Sequence, residues 1–201
     1  MSTPTTIERA VRIFRRYGGI LQTREALAAG IHPRTLYTLR DQGTVDQLSR
    51  GLFRLAALPP LTAPDLITVH RRIPAGVLCL VSALDVHGLT TQVPHVVQVA
   101  VPQGTTPPRL DYPPIRIFWF RGRQYTDGIT HCCYDGLSIP VYNPEKTLVD
   151  CFRYRHKIGM ETVMEALKVY LQGTRQMDRL LSYAKNGRVA RVMRPYLEAL
   201  T

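Results

Sequence analysis

The densest group of side chains able to hydrogen-bond to phosphates and base edges lies at residues 33–41, PRTLYTLRD. Leu36 and Leu39 are three residues apart, which is the spacing of one buried helix face, so the polar residues around them point outward. Guanidinium groups donate to phosphates and to guanine, and hydroxyl groups can bond to either. This pattern predicts a helix that contacts nucleic acid. Its outward side chains are Arg34, Thr35, Tyr37, Thr38 and Arg40.

A second short helix is predicted just before this one, at residues 24–29. Thr23 is a good N-cap residue for it, and Gly30 suits the left-handed position that ends a helix. Pro33 suits the first position of the following helix, where its missing N–H costs nothing. Two short helices in this order are typical of a helix-turn-helix, and Arg24 on the first of them becomes a further candidate DNA contact.

Two short strand-like segments follow, at residues 45–48 and 52–56, and a polar turn containing Arg50 joins them. The second segment places Arg54 after two apolar residues, as expected of a half-exposed strand. If the hairpin is the wing of a DNA-binding domain, Arg50 and Arg54 would contact a minor groove or phosphates. The alternative is a surface hairpin without a role in DNA binding.

The first helix is predicted at residues 4–17, where apolar residues recur at helical spacing and four arginines lie largely on the other side. These arginines either contact phosphates or form an ordinary solvated face. A helix, a helix-turn-helix and a hairpin in succession predict a winged helix-turn-helix over residues 1–58. The four arginines are Arg9, Arg12, Arg15 and Arg16.

The charge of the chain favours a polyanionic partner. Its 201 residues carry a formal net charge of +11. Residues 1–58 contain nine Lys and Arg against four acids, and residues 59–201 contain seventeen against eleven. Nucleic acid is favoured over a lipid surface because no basic amphipathic anchor stands out. There is neither an apolar run of about 18 residues nor a signal-peptide core, so we expect a cytoplasmic protein that does not span a membrane.

A stiff, proline-rich connector at residues 58–64 predicts a domain boundary. The predicted fold class is α+β, with the N-terminal winged helix-turn-helix followed by a C-terminal domain, residues 65–201, that has a small β-sheet and several helices. The elements predicted in that domain are a helix at 65–72, strands at 76–81, 93–101 and 115–120, a short helix capped by Ser82, a hairpin around Asp135-Gly136, and helices at 143–159, 161–172, 176–185 and 187–200.

The last predicted helix carries Arg188, Arg191 and Arg194 on closely related faces. These arginines could form a second surface for phosphates or for a partner protein. The alternative is a solvated helix face, which has the same composition.

No catalytic motif is recognisable from its spacing, because the chain has no Gly-rich phosphate loop, no HExxH and no G-x-S-x-G. Asp135, Glu145 and Lys146 have the residue types of a nuclease site that follows a hairpin. Glu145 and Lys146 are adjacent, however, so their side chains diverge, and Glu145 suits the first turn of a helix. We therefore predict no enzymatic activity. The alternative is a metal-dependent nuclease or toxin-modifying enzyme that acts through residues 75–157.

Neither a metal site nor a cofactor is predicted. The six histidines are scattered, and the four cysteines form no CxxC pair. Cys132 and Cys133 are adjacent and would point to opposite faces of a strand. We interpret the cysteines as buried cytosolic thiols.

Three motifs in register resemble the AbiEi antitoxins of bacterial abortive-infection toxin–antitoxin systems. They are SRGLFRL at residues 49–55, VSALDVHGL at 81–89 and NPEKTLVDCFRYR at 143–155, so the resemblance extends over nearly the whole chain. Lys146 stands where the family usually has arginine. A lysine keeps the charge but lacks the planar guanidinium fork, so a bidentate contact made there by relatives would be lost.

The resemblance implies a protein with two tasks in phage defence. The winged helix-turn-helix would bind inverted repeats in the promoter of its own operon and repress transcription. The C-terminal domain would neutralise a toxin of the nucleotidyltransferase class without needing a stable toxin–antitoxin complex. The basic surface predicted above supports the first task on its own, whereas the second follows from the resemblance alone.

Overall fold

The computed structural model describes residues 5–173 and 176–200 and shows an α+β protein with two small sheets. The chain divides into two compact units. The first unit comprises the chain up to Arg72 together with Arg109–Pro113, and the second comprises Ile73–Pro108 and the chain from Pro114 onward. The helix predicted at residues 65–72 therefore lies in the first unit, whereas the predicted C-terminal domain began with it. Among the described residues, no helix is both long and apolar enough to span a membrane.

Residues 5–72 of the first unit form four helices and a three-stranded antiparallel sheet of order β1-β3-β2. Its elements are α1 (Thr6–Arg16), β1 (Ile20–Gln22), α2 (Thr23–Ala28), α3 (Pro33–Asp41), β2 (Val45–Ser49), β3 (Leu52–Leu55) and α4 (Pro64–Arg72). The helices and strands predicted for this part of the chain are confirmed to within a few residues. The predicted start of α1 at residue 4 lies outside the described residues.

Local sequence signals define the ends of these helices. Thr5 and Glu8 form a capping box that begins α1, which satisfies two backbone N–H groups that the helix itself cannot pair. The predicted Thr23 cap is wrong: Gln22 is the N-cap of α2, and Thr23 is its first residue. Gly30 follows α2 with a φ of +90°, the left-handed conformation expected there.

Apolar side chains of the three helices pack on one face of the small sheet. Phe14 of α1, Ala26 of α2 and Leu36 of α3 are fully buried. The core also includes Leu21 of β1 and Phe53 of β3. All four residues of β3 are buried, since β3 is the central strand. The half-exposed strand predicted there is wrong.

The second unit is built on a mixed five-stranded sheet of order β6-β5-β4-β8-β7. The pairs β5–β6 and β4–β8 are parallel, and β4–β5 and β7–β8 are antiparallel. Its elements are β4 (Val77–Leu78), α5 (Leu80–Val86), β5 (Val97–Pro102), β6 (Ile115–Phe120), α6 (Arg123–Thr126), β7 (Ile129–Tyr134), β8 (Leu137–Tyr142), α7 (Pro144–Arg153), α8 (Arg155–Ile158), α9 (Met160–Gln172), α10 (Met177–Asn186) and α11 (Ala190–Leu200).

Helix α7 is central to this unit. It contacts α5, α9 and α10, and every residue from Glu145 to Phe152 is buried. As predicted, Asn143 opens the helix: its side chain accepts a hydrogen bond from the Lys146 N–H at 2.9 Å, and Pro144 occupies the first position. The predicted continuous helix at 143–159 is wrong, because α7 ends at Arg153 and the short α8 begins at Arg155.

The predicted hairpin around Asp135-Gly136 is confirmed, and both turn residues have positive φ values. Two predicted strands are shorter than expected. The apolar segment 76–81 forms a strand only at Val77–Leu78, because α5 already begins at Leu80. Ser82 is consequently a buried helix residue, and Cys79 is the N-cap. Strand β5 begins at Val97, four residues later than predicted.

Candidate nucleic-acid interface

Helix α3 presents a polar face to solvent because its apolar face is held in the core. Leu36 and Leu39 are fully buried. The helix begins at Pro33, and the His32 ring nitrogen Nδ1 accepts a hydrogen bond from the Arg34 N–H at 3.2 Å. This bond satisfies one of the N–H groups left unpaired at a helix start. The two buried leucines fix the orientation of the helix, and so determine which of its residues face outward.

Three long side chains extend from the exposed face of α3, and they are Arg34, Tyr37 and Arg40. All are exposed, with 47% of Tyr37 accessible. The Arg40 guanidinium lies over the Tyr37 ring at 5.0 Å from its centroid. It also donates to Asp41 Oδ1 at 2.8 and 2.9 Å. The neighbouring carboxylate partly neutralises Arg40, so Arg34 presents the stronger positive charge on this face.

The two threonines predicted on this face are less exposed than the arginines. Thr38 is half-buried, and its hydroxyl donates to the Arg34 carbonyl at 2.9 Å, leaving oxygen lone pairs free to accept. Thr35 is half-buried and helps to line a cavity of about 170 Å³, to which Arg9 of α1 also contributes. Thr35 therefore lies at the border between α3 and α1.

Arg24 and Arg50 are both exposed, on α2 and in the β2–β3 turn respectively. The Thr23 N–H donates to the Gly51 carbonyl at 2.9 Å. Because Thr23 precedes Arg24 and Gly51 follows Arg50, this bond holds the hairpin turn beside the start of α2. The structure thus brings Arg24 and Arg50, which are far apart in sequence, to one part of the surface.

The prediction that Arg54 contacts DNA is wrong. Its side chain was expected at the exposed wing, but only 6% of the residue is accessible. Its guanidinium donates to the backbone carbonyl of Pro59 and, at 3.5 Å, to that of Leu55. The central position of β3 buries the side chain. Arg54 therefore ties the connector to the sheet and is not presented to a nucleic acid.

The basic tail of the second unit is divided between a loop and a helix. Arg188 precedes α11 and has a φ of +57°. The last helix therefore begins at Ala190, three residues after the predicted start at residue 187. Arg191 and Arg194 lie on α11 and are exposed. Arg194 pairs with Glu198 at 2.6 Å. Arg188 and Arg191 form no ion pair with any described residue.

The three residues of the alternative nuclease site have different surroundings. Asp135 is exposed in the hairpin turn. Glu145 is buried and accepts a hydrogen bond from the Tyr170 hydroxyl at 3.0 Å. Lys146 is buried and forms an ion pair with Asp150. Within the described residues, no group of three or more His, Cys, Asp or Glu side chains could hold a metal ion.

Asp150 was missed in the sequence, although its four-residue spacing from Lys146 is that of a helical ion pair. Burial raises the pKa of Asp150 from 3.8 to about 6, and the positive charges of Lys146 and Arg153 oppose that rise. The Lys146 ammonium also lies over the ring of Tyr142, at 4.5 Å from its centroid. The motif around Lys146 therefore makes its contacts inside the unit.

The Ser82 and His87 motif also makes internal contacts. The Ser82 hydroxyl accepts a hydrogen bond from the Gln98 N–H, and the Gln98 side-chain oxygen accepts one from the Val81 N–H, both at 2.9 Å. His87 Nε2 lies 2.6 Å from the Tyr142 carbonyl oxygen. These bonds join α5 to β5 and to the end of β8.

All four cysteines are free, but the prediction that they are buried holds for only two of them. Cys79 and Cys151 are buried, Cys132 is half-buried and Cys133 is exposed. Burial raises the pKa of the Cys79 and Cys151 thiols well above the ordinary value, which keeps both of them protonated.

Two profiles of known protein families match the chain, one in each half. Residues 8–56 match the profile of a family described as a transcriptional regulator, AbiEi antitoxin. Residues 75–197 match the profile described as the AbiEi antitoxin C-terminal domain. The class is therefore that of antitoxins that are also transcriptional regulators, which is regulatory rather than enzymatic. The chain belongs to the AbiEi antitoxin family.

The fold is similar to a solved structure, the crystal structure of the RV2827C protein from Mycobacterium tuberculosis. The TM-score is 0.51 and the sequence identity is 16%, over 98% of this chain and 82% of that chain. At this identity, the similarity concerns the fold alone. Among functionally curated proteins, none matches the chain.

Proposed function

We propose that the first unit is a winged helix-turn-helix that binds double-stranded DNA. Its elements follow in the order α1, β1, α2, α3, β2, β3, with the β2–β3 hairpin in the position of a wing. The turn at Gly30 separates α2 from α3, as between the two helices of a helix-turn-helix. In that geometry α3 is the recognition helix.

The observation that carries this proposal is the division of α3 into two faces. Leu36 and Leu39 are fully buried, while Arg34, Tyr37 and Arg40 are exposed. Arg34 and Tyr37 enter the major groove, where guanidinium and phenol groups reach base edges and phosphates. Thr35 and Thr38 border the same groove, and Arg24 and Arg50, which lie on one part of the surface, contact phosphates or the minor groove beside it.

The DNA target that we propose is an inverted repeat in the promoter of the protein's own operon, so that binding represses transcription. Membership of a family of transcriptional regulators supports this proposal. The net charge of +11 supports it as well, because a basic protein associates faster with DNA.

Footprinting of the full-length protein on the region upstream of its own gene tests this part of the proposal. We expect protection of two half-sites related by symmetry, and no protection on a DNA of the same length with shuffled sequence. About five phosphate contacts would give a plot of log K against log salt concentration with a slope of about −4.5. Equal, salt-insensitive binding to both DNAs would instead favour a protein–protein adaptor.

We further propose that the protein is the antitoxin of a nucleotidyltransferase-like toxin and that it neutralises the toxin without a stable complex. Support comes from the match of residues 75–197 to the antitoxin C-terminal domain. Co-expression of the full-length protein with the product of the adjacent gene should restore growth. An Arg34→Ala/Tyr37→Ala variant should restore it equally well, because its substitutions lie in the first unit. Loss of rescue in this variant would show that the two tasks are not separable.

A further inference from the structure

A cavity of about 550 Å³ follows the outer edge of the sheet in the second unit. Four of its lining residues, 116–119, are consecutive in β6, and the others are Tyr154 and Lys157. Successive side chains of a strand point to opposite faces. A cavity that touches four of them in a row must therefore lie along the edge of the strand.

One edge of β6 carries backbone hydrogen-bonding groups that pair with no other described strand. Among the described strands, β6 pairs only with β5. The carbonyls of Pro114 and Phe120 accept hydrogen bonds from Val97 and Gln103, on the β5 side. Because the direction of the backbone groups alternates along a strand, the N–H and C=O groups of Ile115, Ile117 and Trp119 point to the open edge. An open edge of this kind is a template for another strand.

The side chains around the edge form an apolar floor with a positive rim. Phe118 and Tyr154 make an edge-to-face contact with ring centroids 5.3 Å apart. Trp119 is 53% exposed, and its Nε1 donates to the Thr105 carbonyl at 2.9 Å, which fixes the ring. Arg116 and Lys157 are exposed and form no ion pair with any described residue. None of the described residues that line the cavity is an acid.

We propose that the open edge of β6 binds an extended acidic segment of a partner protein by strand addition. The backbone of such a segment would pair with Ile115, Ile117 and Trp119. Its carboxylates would face Arg116 and Lys157, and the apolar side chains that alternate with them would lie on the opposite face of the sheet, beside Trp119. Strand addition is a common mode of peptide recognition, in which the backbone supplies affinity and the side chains supply specificity.

Charge and backbone chemistry disfavour two other occupants. Symmetric antiparallel pairing with a second copy of β6 would keep equivalent residues on the same face, so it would place the positive charges of two copies of Arg116 and Lys157 at one edge and bring no acid to them. A nucleic acid would satisfy Arg116 and Lys157. However, its phosphodiester chain offers no regular series of N–H donors for the strand's carbonyls. The proposed site is separate from DNA binding by α3, and either proposal can fail without the other.

Titration of the full-length protein with acetyl-Glu-Val-Glu-Phe-Glu-Val-Glu-amide tests the proposal. Trp119 is the single tryptophan of the chain, so its fluorescence reports directly on this edge. We expect a saturable change in emission. The same peptide with N-methylated backbone amides, or with Lys in place of Glu, should bind at least about tenfold more weakly.

Substitutions at and away from the β6 edge test where the acidic peptide binds on the protein. Arg116→Glu/Lys157→Glu should lower the affinity for the acidic peptide at least about tenfold, because charges at the rim attract an oppositely charged partner. The matched control, Lys168→Glu/Lys185→Glu, changes two exposed lysines of the same unit and should leave the affinity unchanged. Ile117→Pro removes an N–H from the open edge and should therefore weaken binding of the peptide. The variant should still fold, because proline is tolerated on an edge strand.

Three results would overturn the proposal. The first is equal binding of the N-methylated peptide, because strand addition requires the backbone amides. The second is no saturable change in emission with the acidic peptide. The third is tighter binding of an oligothymidine at Trp119, which would assign the rim to single-stranded nucleic acid.

Discussion

Lys146 and Asp150 form an ion pair one helical turn apart on α7, with both side chains buried. The ammonium of Lys146 also faces the ring of Phe120, at 5.2 Å from its centroid. Removing one partner from a buried ion pair leaves an uncompensated charge, whereas replacing both partners by apolar residues removes the cost of burying either charge. We therefore make two predictions about the stability of the protein from this ion pair.

Substitution of one partner should destabilise the second unit more than substitution of both. We expect Lys146→Met to lower the free energy of unfolding by about 3–5 kcal/mol at neutral pH, because the buried Asp150 carboxylate loses its counter-charge. Lys146→Met/Asp150→Leu should have a stability equal to or above that of the wild type. Urea unfolding of the three proteins measures these values. A double variant that is less stable than Lys146→Met would contradict this account.

The pair also predicts how stability depends on pH. The pKa of Asp150 is about 6 in the folded protein because of burial, above the ordinary value of 3.8. Between these values the unfolded chain has lost a proton that the folded chain retains, so stability falls as pH rises from about 4 to about 6. The fall is at most about 3 kcal/mol.

This fall is measured as the difference between the unfolding free energies of the wild type and of Lys146→Met/Asp150→Leu at each pH. The double variant lacks the titrating carboxyl, so the contributions of all other groups cancel. A difference that stays constant between pH 4 and 6, or that changes in the opposite direction, would argue against the raised pKa.

Arg34→Ala/Tyr37→Ala should abolish the footprint upstream of the gene. Both side chains are exposed, so the melting temperature should stay within about 1 °C of the wild type. Footprinting measures the loss of DNA binding, and circular dichroism on heating measures the melting temperature. Lys168→Ala, which removes an exposed lysine from α9, is the control and should bind DNA normally. Unchanged footprints in the Arg34/Tyr37 variant would disprove the assignment of α3.

Arg50→Ala should affect DNA binding, whereas Arg54→Ala should affect the stability of the fold. Arg50 is exposed at the hairpin turn, so its loss should weaken DNA binding and reduce the magnitude of the salt slope by about 1, with little change in stability. Arg54 is buried and bonded to the Pro59 carbonyl, so its loss should lower the unfolding free energy by about 1–3 kcal/mol. Salt titrations and urea unfolding of both variants test this contrast. Equal stability of the two variants would contradict the role of Arg54.

Gly128→Ala should destabilise the protein more than Gly136→Ala. Both glycines have a φ of +78°, where an alanine costs about 1–2 kcal/mol. A Cβ at Gly128 would lie 2.7 Å from the Lys146 Cβ, whereas a Cβ at Gly136 would have no atom within 4 Å. The clash should add about 1–3 kcal/mol to the cost at Gly128. Thermal unfolding measures the difference, and equal costs would show that the backbone relaxes around Lys146.

The sequence alone determined the features that depend on neighbouring residues. The spacing of Leu36 and Leu39 predicted the buried face of α3, and Gly30 and Pro33 predicted the turn before it. The Asp135-Gly136 turn predicted the β7–β8 hairpin. These signals are short-range because helix periodicity and turn conformation are set by adjacent side chains and backbone angles.

Only the tertiary structure decided which residues are buried by segments distant in sequence. The pattern of β3 predicted an exposed Arg54, but the strand order β1-β3-β2 places this strand in the centre and buries the side chain. The spacing of Lys146 and Asp150 allowed an ion pair on any helix surface, and the packing of α7 among other helices made it a buried one. The segment Ile115–Phe120 was predicted correctly as a strand, yet the chain path placed it at the open edge of its sheet. Burial and strand order depend on how the whole chain packs, so no local pattern contains them.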